Sequence, residues 1–109
     1  MSAMYDEILS QFTDYRSITT FWDDFSIADA FGSGAVKDTF QRVFDEWKDN
    51  YKYLTELVMV LNHKIWQFYG EPGKQRRANL YEELWMKAAD YAASHLEGEE
   101  LEYYYRITD

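Results

Sequence analysis

Apolar side chains recur at Val36, Phe40, Val43, Phe44, Trp47, Tyr51, Leu54, Val58, Leu61, Ile65 and Phe68, in steps of three and four. That spacing lines one stripe of an α-helix, and no glycine or proline interrupts residues 35–69. The pattern therefore predicts one long central helix over residues 35–69. At 1.5 Å per residue such a helix spans about 52 Å, against about 30 Å for a small domain. If it yields anywhere, it bends at Asp49-Asn50, since either residue can cap a helix. The stripe keeps its phase across that dipeptide, and a full reversal is expected to need glycine, proline or more residues. Between Tyr53 and Leu61 the apolar residues cover most of the circumference, which predicts a segment enclosed by its neighbours.

The flanking segments are also helical in pattern. Met4, Ile8, Phe12 and Tyr15 share a face over residues 3–15, and Ser17-Ile18-Thr19-Thr20 is expected to break that helix. Thr20 and Asp23 resemble a capping box for a second helix over residues 21–31, with Phe21, Phe25 and Ala28 inward. Gly32-Ser33-Gly34 ends it, and Ser33 or Gly34 can cap the central helix. Gly70-Glu71-Pro72-Gly73 holds the only proline and reads as a turn. Asn79 with Glu82 suggests a cap for a helix over residues 80–96, its inner face formed by Tyr81, Leu84, Trp85, Ala88, Tyr91 and Ala92. Gly98 fits the residue just past that helix. Leu101, Tyr103, Tyr105 and Ile107 alternate as in a strand, but a lone strand has no pairing partner, so the tail is expected to form a short helix.

Composition narrows the class. Twenty-one aromatic side chains in 109 residues supply enough buried area to argue against disorder. The absence of cysteine excludes a disulfide framework, a thiolate zinc site and a cysteine nucleophile, and favours a reducing compartment. The opening MSAMYDEILSQF carries acids where a signal peptide needs bases, and no run approaches the roughly 18 apolar residues of a membrane span. A cytoplasmic protein with no membrane partner is expected. The net charge of −9 disfavours nonspecific binding to nucleic acid or anionic lipid, which need a positive field. Both ends of the chain are acidic, residues 35–69 are balanced, and residues 70–79 carry three bases against one acid.

Candidate chemistry is sparse. His63 and His95 are the only histidines. His63 shares a heptad position with Asp49 and Glu56, which predicts all three in solvent, and His95 falls at the rim of its helix. Glu-x-x-His, the di-metal helix spacing, does not occur. Asp23-Asp24, Glu82-Glu83 and Glu99-Glu100 are adjacent and point about 100° apart, so they do not converge on a substrate. The serines lack a nucleophile elbow, and Gly32-Ser33-Gly34 lacks the glycines and Lys-Ser/Thr of a phosphate loop. Ile27-Ala28 followed by Gly32 resembles a helix-turn-helix, but Asp23, Asp24 and Asp29 would repel phosphates. Lys74-Gln75-Arg76-Arg77 reads as a solvated turn or as bases complementing acidic segments; Arg76 and Arg77 are otherwise candidates for docking an acidic partner. Tyr103-Tyr104-Tyr105 suggests interface anchors, Tyr104 among them, with at least part of the run expected to cap the core.

The phrases FWDDFSIADAFG, EWKDNYKYLTELVMVLNHKIWQFYG and GEELEYYYRITD resemble a group of small proteins encoded on mobile elements and phages of gut bacteria. The group has no assigned activity, so the resemblance implies a cytoplasmic accessory protein and no site residues. Taken together, the sequence predicts an all-α chain, a compact single-domain helical bundle over residues 1–109, with about four main helices around one long central helix. The expected function is a non-enzymatic, acidic protein–protein interaction module without cofactor or metal. It would present Asp23, Asp24, Glu99, Glu100 and Glu102, with exposed tyrosine or tryptophan as anchors, to a protein partner. A narrower form is a nucleic-acid mimic, the alternative is a helix-turn-helix DNA-binding regulator, and the long stripe suggests a homodimer.

Overall fold

Five helices carry the described residues: α1 (Tyr15–Phe31), α2 (Ser33–Trp47), α3 (Tyr51–Phe68), α4 (Gln75–His95) and α5 (Gly98–Thr108). They come from a computed structural model that describes residues 15–108, with side chains from residue 21 onward. No strand occurs among these residues. The helix expected over residues 3–15 lies, but for its last residue, outside them. α1 runs straight through Ser17-Ile18-Thr19-Thr20, so the expected break and the Thr20 cap are absent. β-branched residues and serine cost a helix only tenths of a kcal/mol each. Burial of Phe21, Phe25 and Ala28 on the same helix outweighs that.

The single long helix is replaced by two. Trp47 ends α2, and Asn50, in extended conformation (φ −106°, ψ 108°), caps α3: its side-chain oxygen accepts from the Lys52 and Tyr53 amides at 3.1 and 3.3 Å. The chain reverses there, as the contacts at the two ends of the bundle demonstrate. At one end Ser33 and Lys37 of α2 share a cleft with Arg76 and Asn79 of α4, while Phe68 of α3 stacks on Tyr81 of α4 at 6.0 Å. At the other end Phe44 of α2 meets Tyr91 of α4 edge-on at 5.1 Å, and the Tyr91 hydroxyl reaches Asp49, just before α3, at 3.4 Å. Thus α2 and α4 run one way and α3 runs against both.

A three-residue link with a strong N-cap is enough for such a reversal; glycine and proline are not required. An unbroken rod of about 52 Å would also exceed the fold's longest axis of 41 Å. The stripe stayed in phase because the link is close to one helical turn long, so both helices turn it to the same core. Every residue of that stripe is buried or half-buried, and residues 54–61 are all buried. The enclosure expected for the middle of the chain is present.

The other joins follow similar logic. Gly32 alone separates α1 from α2, with φ at 114°, a region that favours glycine. The two helices pair as a hairpin, Phe21 meeting Trp47 at 6.0 Å and Asp24 meeting Arg42 at 3.2 Å. This one-residue join departs from the three- to four-residue turn of a helix-turn-helix. α4 begins at Gln75 with Lys74 as its N-cap residue, several residues before the expected start. Asn79 lies inside the helix, accepting from Gln75 at 2.9 Å. Gly98 (φ 57°) opens α5 and does not close α4, whose cap is Leu96. The tail is the short helix expected, with Glu99 and Glu100 in its first turn, where the helix dipole favours acids. α5 runs along α3, from Tyr103 against Tyr51 at 5.3 Å to Thr108 beside Asn62.

Candidate functional site

Two buried ionisable groups on α3 dominate the polar interior. Lys64 is 1% exposed, and its ammonium donates to Ser26 Oγ at 2.8 Å and Asp29 Oδ2 at 3.1 Å, with the Trp22 ring 4.3 Å away. Asp29 also accepts at Oδ1 from Arg77 and from the Tyr81 hydroxyl, each at 2.8 Å. Arg77 donates again to the Asp29 backbone carbonyl at 3.1 Å. Burial, together with the hydrogen bond to Asp29, pushes the Tyr81 phenol well above its ordinary range. The cluster ties the C-terminal half of α1 to α3 and α4. It is a fastener, because every charge in it faces an opposite charge or an acceptor.

Glu56 is the opposite case. It is fully buried, and neither carboxylate oxygen has a hydrogen-bond partner. Burial raises its pKa well above the ordinary carboxylate value. The heptad pattern put Glu56 in solvent with Asp49 and His63; Asp49 is exposed, Glu56 is buried and His63 half-buried. The pattern failed because α3 is enclosed around its whole girth, leaving no outward heptad position through its middle. Burial lowers the His63 pKa. His95 is exposed and stacks on Tyr91 at 3.8 Å.

The sequence-derived candidates are scattered. Asp23, Glu99, Glu100 and Glu102 are exposed. Asp24 is half-buried and paired with Arg42. Asp23 and Asp24 lie midway along α1, whereas the three glutamates lie at the start of α5, which meets Tyr51 through Tyr103. The glutamates therefore share an end of the bundle with Glu97 and with Glu46 and Asp49 at the α2–α3 link, and Asp23 and Asp24 are not brought to them. Arg76 is exposed, but Arg77 is bound to Asp29 and belongs to the fastener. The alternative of bases complementing an acidic segment holds for Arg77. Tyr104 is 5% exposed and Tyr103 7%, so Tyr104 is a wall residue and not an anchor. Among the described residues the exposed large aromatics are Phe31, Trp66, Tyr69 and Tyr105, with Trp66 and Tyr69 edge-on at 5.3 Å. Sequence reasoning missed Trp66 and Tyr69 because both lie within the long helical pattern. Their offset from the stripe was the available signal.

Among the described residues no cluster of three or more His, Asp or Glu could hold a metal ion, and no helix is long and apolar enough to cross a membrane. No family model, curated protein or solved structure matches the chain.

Proposed function

We propose that this chain is a non-enzymatic protein–protein interaction module, an accessory protein of a mobile element, which offers acidic surface to a basic partner. The observation that carries the reading is the gathering of exposed acids at one end of the bundle: Glu46 and Asp49 around the α2–α3 link, and Glu97, Glu99, Glu100 and Glu102 at the start of α5, which the Tyr51–Tyr103 contact brings beside that link. Asp23, midway along α1, is a further exposed acid, and Asp24 beside it is tied to Arg42. Like charges held together on a rigid frame raise the local field and steer a basic partner toward it. In the narrower form, the partner is a nucleic-acid enzyme and the acidic end occupies its basic groove.

The test is affinity capture with the tagged full-length protein from cells of its source. The reading expects a basic protein retained at low salt, released between about 50 and 200 mM salt as charge contacts are screened, and lost from an Asp23→Lys/Glu99→Lys/Glu100→Lys variant. Retention indifferent to both salt and charge reversal would overturn it. A shifted operator fragment, abolished by Lys37→Ala or Arg42→Ala, would put a helix-turn-helix regulator in its place.

A further inference from the structure

α5 has 11 residues where α3 has 18 and α4 has 21. At 1.5 Å per residue it covers about 16 Å of a seam that α3 continues for about 27 Å. Under and beside its last turns lies a cleft of about 220 Å³, lined by Val58, Met59, Asn62, Trp85, Tyr104 and Thr108, with Tyr105 at the edge. One turn beyond Asn62, past the end of α5, Trp66 and Tyr69 stand 65% and 60% exposed. Met59, Asn62, Trp66 and Tyr69 follow one another in steps of three, four and three, so they form a straight row along α3. That row leads from the cleft onto the exposed aromatics.

Charge distinguishes this surface from an ordinary gap between helices. Residues three or four positions apart on a helix are surface neighbours. At that spacing from the cleft residues stand Glu82 beside Trp85, Glu100 beside Tyr104 and Glu102 beside Tyr105, all exposed and none in an ion pair. No lysine or arginine stands at that spacing from any cleft residue. An apolar row flanked by acids is complementary to an amphipathic helix with a basic rim. Such helices seat side chains at i, i+3 or i+4, and i+7 in a groove, which matches the steps along α3. The cleft is smaller than the roughly 300–1,000 Å³ of small-ligand pockets and suits one bulky side chain. A second copy of this chain, itself at −9, would meet like charge at the rim.

We propose that the cleft between α3, α4 and α5 receives the apolar face of a basic amphipathic helix from a partner protein. One bulky side chain sits between Met59, Trp85 and Tyr104, and the next turn rests on Trp66. This deepens the interaction reading and rests on it: it gives the partner's recognition element a secondary structure and a seat.

The experiment uses the full chain and three dye-labelled synthetic 18-residue peptides, read by fluorescence anisotropy. One is a Lys/Leu/Trp amphipathic helix, the second has Glu for every Lys, and the third scrambles the first so that no apolar face forms. Saturable binding is expected for the first peptide alone. Trp66→Ala, and separately Glu82→Lys/Glu102→Lys, should each weaken it tenfold or more, whereas Asp23→Lys should change it less than twofold. All these positions are exposed, and circular dichroism melts verify that each variant folds. Equal binding of the acidic or scrambled peptide, or indifference to both cleft variants, overturns the proposal. A native partner captured equally by wild type and Trp66→Ala, but lost from Asp23→Lys/Glu99→Lys/Glu100→Lys, removes the cleft and keeps the acidic interaction surface.

Discussion

Lys64 and Glu56 lie on the same helix, eight residues and about 12 Å apart, and both are fully buried. Around Lys64, α1 supplies Ser26, Asp29 and the Trp22 ring, and α4 adds Arg77 and Tyr81 to the far side of Asp29. Around Glu56 nothing donates to either oxygen. Burial alone therefore does not decide what an ionisable side chain contributes. A buried charge that faces an opposite charge fixes the arrangement of helices, while one without partners gives up its charge or costs stability.

The largest effect expected from that contrast is at Asp29. Asp29→Ala leaves Lys64 buried and deprives Arg77 of its carboxylate, and removing one partner of a buried pair costs about 3–5 kcal/mol. Denaturant melts should record that loss. Replacing Asp29, Lys64 and Arg77 together by apolar residues should cost far less than Asp29→Ala alone. Equal losses would mean that the fastener is no more than a surface ion pair.

Glu56→Leu should act in the opposite direction, raising stability by about 1–3 kcal/mol at neutral pH, the cost of a buried polar group left unsatisfied. The pH dependence has a defined sign. Because the folded-state pKa of Glu56 is raised, the folded chain holds this proton where the unfolded chain has released it. Stability conferred by the protonated form is thus present below the ordinary carboxylate value of about 4.3 and declines as pH rises through the folded-state pKa. The stability difference between wild type and Glu56→Gln should accordingly grow in favour of Gln from acidic to neutral pH. A pH-independent difference would contradict the buried, unpartnered acid.

Smaller effects test the frame that holds these two sites. Asn50→Ala removes the cap at the α2–α3 reversal and should cost about 1 kcal/mol, read as a shift in denaturation midpoint without a change in slope. Arg42→Ala breaks only the exposed pair with Asp24 and should cost less than about 1 kcal/mol. An Arg42 effect equal to that at Asp29 would erase the distinction between surface and interior charges.

Periodicity made much of the fold legible. The stripe from Val36 to Phe68 marked the core-facing residues correctly, as did Phe21, Phe25 and Ala28 on α1 and Tyr81, Leu84, Ala88 and Ala92 on α4. Direction was not legible, because a link of about one turn preserves helical phase whether the chain continues or reverses. Asn50 carried the signal, but a capping residue says only that a helix starts there. Glu56 was misplaced for a related reason: a heptad assumes one buried face, and α3 is covered on all sides by elements distant in sequence. The acidic end was visible only as separate acidic segments, since bringing the start of α5 beside the α2–α3 link depends on the reversals between α2 and α5. Trp66, Tyr69 and the cleft depend on where α5 stops, which the pattern did not give.

The central claim is that α3 is enclosed through its middle, with Glu56 inside and without a partner. Carbon-13 NMR of the glutamate carboxyl carbons through a pH titration tests it most directly. The Glu56 signal should stay at its protonated position while glutamates of an unstructured reference peptide titrate at about 4.3. A Glu56 signal that titrates alongside them would contradict the enclosure on which the helix arrangement depends.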